Sequence, residues 1–79
     1  MKIVLTNKVY EWTIVQSDFA WFVLSSLKQH ARGEGKLPPG YEGYEREGKS
    51  LSVFKRWDLP EIWIITDRSA TTVLFPEER

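Results

Sequence analysis

Cysteine is absent from the 79-residue sequence, and histidine occurs only once, as His30. Without cysteine the chain has no disulfide, no thiol nucleophile and no cysteine-ligated zinc, which is compatible with a reducing compartment. A single histidine is a poor set of metal ligands, and no Ser-His-Asp arrangement has supporting context in the sequence. We therefore expect no bound metal, no cofactor and no enzymatic activity.

An excess of charge of either sign is also missing. Lysine and arginine together number 11, aspartate and glutamate together number 11, and the formal net charge is zero. A protein that binds phosphate backbones or anionic lipids needs a concentration of positive charge. The charge balance therefore disfavours nucleic acid and membrane surfaces as partners.

Long hydrophobic runs are missing as well. The longest apolar stretches are far too short to span a bilayer, and residues 1–8 lack the apolar core of a signal peptide. We expect a cytoplasmic protein without a membrane partner. A chain of this length can bury one small core, so we expect a single domain over residues 1–79.

What is present begins with a clear helical pattern at residues 18–31. Apolar side chains recur there at helical spacing, namely Phe19, Ala20, Val23, Leu24, Leu27 and Ala31. Ser17 stands in the position of an N-cap, with an acidic residue behind it at the positive end of the helix dipole. The stripe predicts that the helix packs on a sheet through Val23, Leu24 and Leu27.

Two large aromatic residues of this helix, Trp21 and Phe22, project away from the apolar stripe at about 100° per residue. Either a neighbouring strand or loop covers them, or they are exposed and form a surface for a partner. We treat both residues as candidate binding residues.

The residues before the helix predict a β-hairpin. Residues 2–5 form a short apolar strand candidate, and residues 9–15 alternate, with Tyr10, Trp12 and Ile14 on one side and polar residues between them. Alternation of this kind is typical of a half-buried strand.

The residues after the helix have a different composition. The segment 32–50 holds all five glycines and little apolar content beyond Leu37, Tyr41 and Tyr44. Such loops are commonly functional or disordered, and a short strand at 41–45 is a third possibility. Glycine and proline predict few packed contacts at residues 33–40.

Three further strands are predicted in the remainder of the chain, at residues 51–57, 61–66 and 70–75. Residues 58–60 contain proline and separate the first two. The middle strand is apolar on both faces and should lie inside the sheet. Together these elements predict an α+β fold in the order β-β-α-loop-β-β-β, an antiparallel sheet with one helix packed across one face.

Two patterns point to other functions. Asp58 and Glu61 are close in sequence and form the basis of a hydrolase or nuclease alternative; Glu61 and Asp67 would lie roughly 20 Å apart on a strand, too far to share a metal. Lys55 and Arg56 alternate with aromatic residues, as in single-stranded nucleic-acid platforms.

The nucleic-acid alternative would use residues of the glycine-rich loop together with that strand, namely Tyr41, Tyr44, Arg46, Lys55 and Arg56. A neutral chain lacks the counterion-release contribution that normally drives such binding. The alternative therefore stands second to protein binding.

The C-terminal part of the chain resembles the end of a family of short bacterial proteins of unknown function, some of them labelled plasmid-related. The resemblance rests on residues 63–67, 70–75 and 77–78, and residues 21–28 are similar to that family's helix. The turn at 68–69 departs from the family, because it lacks glycine. The resemblance implies bacterial origin, α+β architecture and an accessory role on a mobile element.

These observations together predict a small non-catalytic module that binds protein, either another protein or a second copy of itself, or serves as an accessory. The candidate binding residues are Trp21, Phe22, Tyr41, Tyr44 and Arg46.

Overall fold

A four-stranded sheet carries two helices on one face, in a computed structural model that describes residues 2–41 and 48–78. The elements are β1 (Lys2–Leu5), α1 (Asn7–Val15), α2 (Ser17–Ala31), β2 (Ser50–Arg56), β3 (Leu59–Thr66), β4 (Ala70–Leu74) and a 3-10 turn at Pro76–Glu78. The predicted α+β class is confirmed. The predicted order of elements is wrong, because α1 replaces the second strand.

The strand order across the sheet is β1-β4-β3-β2. β3 pairs antiparallel with both β2 and β4, so it lies inside the sheet, as its apolar residues on both faces predict. β1 pairs parallel with β4, and the sheet is therefore mixed rather than antiparallel. The reason is that β1 is followed by helices rather than by a hairpin, so it does not pair with a sequential neighbour.

Residues 9–15 are helical, which corrects the prediction of a strand. The Thr6 hydroxyl caps the start of α1 by accepting a hydrogen bond from the backbone N–H of Val9. Val9 is fully buried, and Trp12 lies against Phe19 and Phe75 with ring centroids 5.6 and 6.5 Å apart. Packing of these side chains outweighs the weak strand preference of the β-branched residues in the segment.

Residues 59 and 60 also differ from the prediction. Leu59 and Pro60 belong to β3, and only Trp57 and Asp58 form the turn that was expected to extend to residue 60. The pairing of β2 with β3 shifts register between Phe54 and Arg56. Proline is tolerated at such an irregularity near the beginning of a strand.

The helix predicted at residues 18–31 is confirmed as α2, but its buried face differs from the predicted stripe. The buried residues are Phe19, Val23, Ser26 and His30. Leu27 is partly buried against the core, whereas Leu24 is 50% exposed. The prediction that Leu24 packs on the sheet is wrong. The side of α2 that contacts the core contains these buried residues, which follow one another at intervals of three or four positions, and Leu24 lies beside that side rather than on it.

The first part of the loop after α2 lies against the edge of β2. The carbonyl oxygen of Lys36 accepts a hydrogen bond from the N–H of Val53 at 2.8 Å, and Pro38 is buried. A Cβ atom on Gly35 would overlap with the Ser52 side chain. The expectation of few packed contacts at residues 33–40 is therefore wrong for this part of the loop, while the strand considered at 41–45 lies mostly outside the described residues.

The core lies between the helices and the sheet. From the helices it receives Val9, Phe19 and Val23, and from the sheet and the residue after it Phe54, Ile62, Ile64, Val73 and Phe75. At about 25 cal/mol per Å² of buried apolar area, such side chains are the main stabilising contribution in a domain of this size.

The β3–β4 turn is held by one carboxylate. The Oδ1 atom of Asp67 accepts hydrogen bonds from the N–H and hydroxyl of Ser69 and from the N–H of Ala70. The Ser69 N–H is the largest cause of the lowered pKa of Asp67. This Asx turn takes the place of the glycine that a tight hairpin often contains.

Candidate functional site

The two candidate aromatics of α2 differ in their surroundings. Trp21 is 68% exposed. Phe22 is partly buried and packs edge-on against Phe19, with ring centroids 6.1 Å apart. Phe22 therefore belongs mainly to the border of the core, and Trp21 is the aromatic residue that faces solvent.

An apolar cleft runs between β1, α1 and α2. It has a volume of about 380 Å³. Its lining residues are Ile3, Leu5, Tyr10, Thr13, Ala20, Val23, Leu24 and Leu27. Three of these are large apolar residues at least half exposed, since the exposed fractions of Ile3, Tyr10 and Leu24 are 59%, 56% and 50%.

Helix geometry extends this exposed area beyond the cleft. Ile14 follows Tyr10 by four positions on α1, and Trp21 precedes Leu24 by three positions on α2, so each pair shares a helix side. Ile14 is 66% exposed. We define the apolar surface as the five residues Ile3, Tyr10, Ile14, Trp21 and Leu24.

A second cleft of about 420 Å³ continues from the first and shares Ile3 and Leu27 with it. Its far end is polar and contains His30, Ser50, Thr66 and Thr71. Ile3, Thr71, Thr66 and Ser50 are paired in register on β1, β4, β3 and β2, so the second cleft crosses the sheet from the apolar side chain of Ile3 to hydroxyl groups beside the end of α2.

His30 is held by hydroxyl groups on both ring nitrogens. Nδ1 lies 2.7 Å from the Oγ of Ser52, and Nε2 lies 2.7 Å from the Oγ1 of Thr66 and 3.3 Å from the Oγ of Ser50. The Thr66 hydroxyl lies in turn 2.9 Å from that of Thr71. Hydroxyl groups can donate or accept, so this set satisfies either tautomer of the ring.

The His30 cluster has the properties of a buried structural histidine. Burial lowers the pKa of His30, so the neutral ring is favoured in the folded protein. Ser52, which lies nearest to Nδ1, is itself buried. Among the interactions of residues 2–41 and 48–78, no carboxylate hydrogen-bonds to the ring, so the third member of a Ser-His-acid arrangement is missing there.

Metal ligands are not assembled in the part of the chain that the structure describes, which has no group of three His, Asp or Glu residues able to hold an ion. The two carboxylates of the hydrolase alternative have other partners. Asp58 forms an ion pair of 2.9 Å with Arg56, and the Oε2 of Glu61 accepts a hydrogen bond from the indole N–H of Trp63 at 2.9 Å.

The candidate residues of the glycine-rich loop are only partly described. Tyr41 packs edge-on against Trp63, with ring centroids 5.6 Å apart, on the sheet face opposite the helices. Tyr44 and Arg46 lie outside the described residues. Tyr41 is therefore separated from Trp21 by the sheet, and the structure does not bring these two candidates together.

Four residues of the apolar surface were not identified as binding residues from the sequence. The sequence pattern predicts Tyr10 and Ile14 in one strand of a hairpin, Ile3 in the strand that pairs with it, and Leu24 in the core. The spacing of four between Tyr10 and Ile14 is the signal that identifies a shared helix side, once residues 9–15 are taken as helical.

Comparisons with family models, curated proteins and solved structures find no match to this chain. The resemblance to short bacterial proteins of unknown function therefore stays a prediction. No helix within residues 2–41 and 48–78 is long and apolar enough to cross a bilayer.

Proposed function

We propose that this chain is a small non-catalytic protein-binding module, and that the apolar surface is where another polypeptide binds. The observation that carries the proposal is the exposure of Ile3, Tyr10 and Leu24 along one cleft, with the exposed Ile14 and Trp21 on the same helix sides as Tyr10 and Leu24. Single exposed apolar residues are common, but a contiguous group of large ones is typical of interaction sites.

Charge supports the same choice. The formal net charge is zero, and Arg56, one of the cations of the nucleic-acid alternative, is paired with Asp58 at 2.9 Å. Binding through the apolar surface should depend little on salt, because burial of apolar area rather than release of counterions drives it. The absence of cysteine is compatible with a reducing compartment, and we include a cytoplasmic location in the proposal.

The test is selection of peptides from a random displayed library, with the protein immobilised at low density so that its copies do not meet. We expect enriched peptides with apolar anchors whose binding changes little between low and high salt. NMR shifts on titration of a selected peptide should centre on Tyr10, Trp21 and Leu24.

A matched pair of variants provides the control. Trp21→Lys should abolish peptide binding, whereas Trp57→Lys should not, because Trp57 is 92% exposed in the β2–β3 turn, outside the apolar surface. Both variants make the same chemical change at an exposed tryptophan. Failure to enrich any peptide, or equal effects of the two variants, would contradict the proposal.

A further inference from the structure

β1 is an edge strand whose outer side carries backbone groups that can form hydrogen bonds. β4 pairs with one side of it, and no strand within residues 2–41 and 48–78 pairs with the other. The N–H of Thr6 donates to the carbonyl of Val73 at 3.2 Å. In a parallel ladder the backbone groups of every second residue form hydrogen bonds with the same neighbouring strand. The backbone N–H and C=O of Val4 therefore point to β4, as the N–H of Thr6 does, while those of Ile3 and Leu5 point outward.

The two edges of the sheet differ in this respect. On the opposite edge, Lys36 already bonds Val53 of β2. Proteins usually protect an open edge with proline, inward charge or a covering segment. β1 is short and begins with the exposed Lys2, two features that limit edge pairing, but it contains no proline and no bulge, and its exposed Ile3 lines the apolar cleft.

We propose that β1 pairs antiparallel with β1 of a second copy of this chain, about a two-fold axis at Val4, so that the two sheets join and the apolar surfaces meet. This rests on the proposed function, since it names the polypeptide that covers the apolar surface. With the axis at Val4, Ile3 of each copy lies opposite Leu5 of the other. Residues opposed in this way exchange both backbone hydrogen bonds.

The charges beside β1 are complementary in this register. Lys2 would lie opposite Thr6 of the second copy, the residue directly after β1 that caps α1. The Thr6 hydroxyl donates to the Oε1 of Glu78 at 2.9 Å. The proposed pairing would therefore bring each Lys2 ammonium group near the Glu78 carboxylate of the other copy, and the two-fold axis would repeat the pair.

The area available also fits a second copy. A stable dimer buries about 800 Å² on each partner, more than a strand of four residues supplies. The side chains of Ile3 and Leu5 project towards the helices, where Tyr10 and Trp21 are more than half exposed and offer roughly 100 Å² or more each. A two-fold axis at Val4 places the helix-bearing faces of both sheets on the same side, next to each other. Because the net charge of the chain is zero, two copies do not repel each other through net charge.

The test is sedimentation velocity of the full chain from low micromolar to sub-millimolar concentration. We expect a monomer–dimer equilibrium that Lys2→Glu weakens by about tenfold or more, because the substitution places a carboxylate of one copy beside the Glu78 carboxylate of the other. The control is Lys55→Glu, the same charge change on the exposed far end of β2, which should leave the equilibrium unchanged.

Ile3→Pro provides an independent variant, since it removes an outward N–H without touching the ladder to β4, and it should abolish the dimer. Thermal unfolding at low concentration checks that it folds. In a mixture of labelled and unlabelled wild-type protein, isotope-filtered NMR should show contacts between Ile3 of one copy and Leu5 of the other.

The outcomes separate this inference from the proposed function. A wild-type chain that stays monomeric, yet binds selected peptides at Trp21, overturns the β1 pairing and leaves the binding module standing. A dimer that Trp21→Lys disrupts, and that Lys2→Glu and Ile3→Pro do not, overturns the pairing in the same way. A monomer that binds no peptide overturns both.

Discussion

The Nδ1 atom of His30 lies 2.7 Å from the Oγ atom of Ser52, which joins the last turn of α2 to the outer strand β2. Gly35 approaches Ser52 so closely that a Cβ atom there would overlap with its side chain. The helix end, the following loop and the strand are therefore connected at one buried point.

The stability of the protein should decrease as the pH falls below about 6.5. The unfolded chain protonates its histidine near that ordinary value. Burial lowers the pKa of His30 in the folded protein, so the unfolded state binds the proton more readily. The stabilisation is therefore fully present above about pH 6.5 and is lost as the pH falls towards the folded pKa.

Urea unfolding at about pH 7.5 and about pH 5.5 measures this effect. His30→Gln is the control, because it cannot titrate but keeps a polar side chain for Ser52 and Thr66. Carboxylates contribute equally to the pH dependence of both proteins. The difference between the two proteins in how the free energy of unfolding changes with pH therefore reports the titration of His30. Identical pH dependence in wild type and variant would contradict a lowered pKa of His30.

Gly35→Ala should destabilise the protein by about 1–3 kcal/mol, because the added methyl group overlaps with Ser52 in a packed region. The His30 ring resonances should shift, since Ser52 is its partner. Gly40→Ala is the comparison: it strains the backbone at a φ of 90° but its methyl group contacts nothing within 4 Å, so it should leave those resonances in place. Equal shifts in the two variants would show that Gly35 does not act through Ser52.

Phe19→Ala should cost about 3–5 kcal/mol, because Phe19 is fully buried in the core. Trp21→Ala, two residues along the same helix, should change the free energy of unfolding by less than about 0.5 kcal/mol, since Trp21 is 68% exposed. Denaturant unfolding at low protein concentration makes the comparison. A large loss at Trp21 would place it in the core and remove it from the apolar surface.

Thr6→Ala should cost about 0.5–2 kcal/mol, because the hydroxyl caps α1 and donates to Glu78 at 2.9 Å. Thr6→Ser keeps the hydroxyl and should retain most of the stability. The measurement is again the free energy of unfolding. If serine and alanine were equally destabilising, the lost methyl group rather than the cap would be the cause.

Helix α2 and the three C-terminal strands could be predicted because their signals are local. The spacing of Phe19, Val23 and Leu27 indicates a helix without reference to any other segment. Likewise, residues 61–66 are apolar on both sides wherever they lie, which identifies an interior strand. The exclusion of disulfides and thiol chemistry follows from composition alone.

Residues 9–15 could not be assigned in that way. Alternation and β-branched residues indicate a strand, while the helix depends on Val9 and Trp12 reaching a core made by distant residues. The intrinsic preference of these residues for a strand contributes less free energy than the packing of Val9 and Trp12 in the core, so the segment is helical.

Sequence was therefore sufficient for the α+β class, for α2 and for the exclusion of cysteine chemistry. Tertiary structure was needed to show that β1 lies at an edge beside β4, that His30 is buried among hydroxyl groups, and that Leu24 is exposed. The physical reason is that period and composition are properties of neighbouring residues. Burial and edge position depend on contacts between segments far apart in the chain, and no single segment contains them.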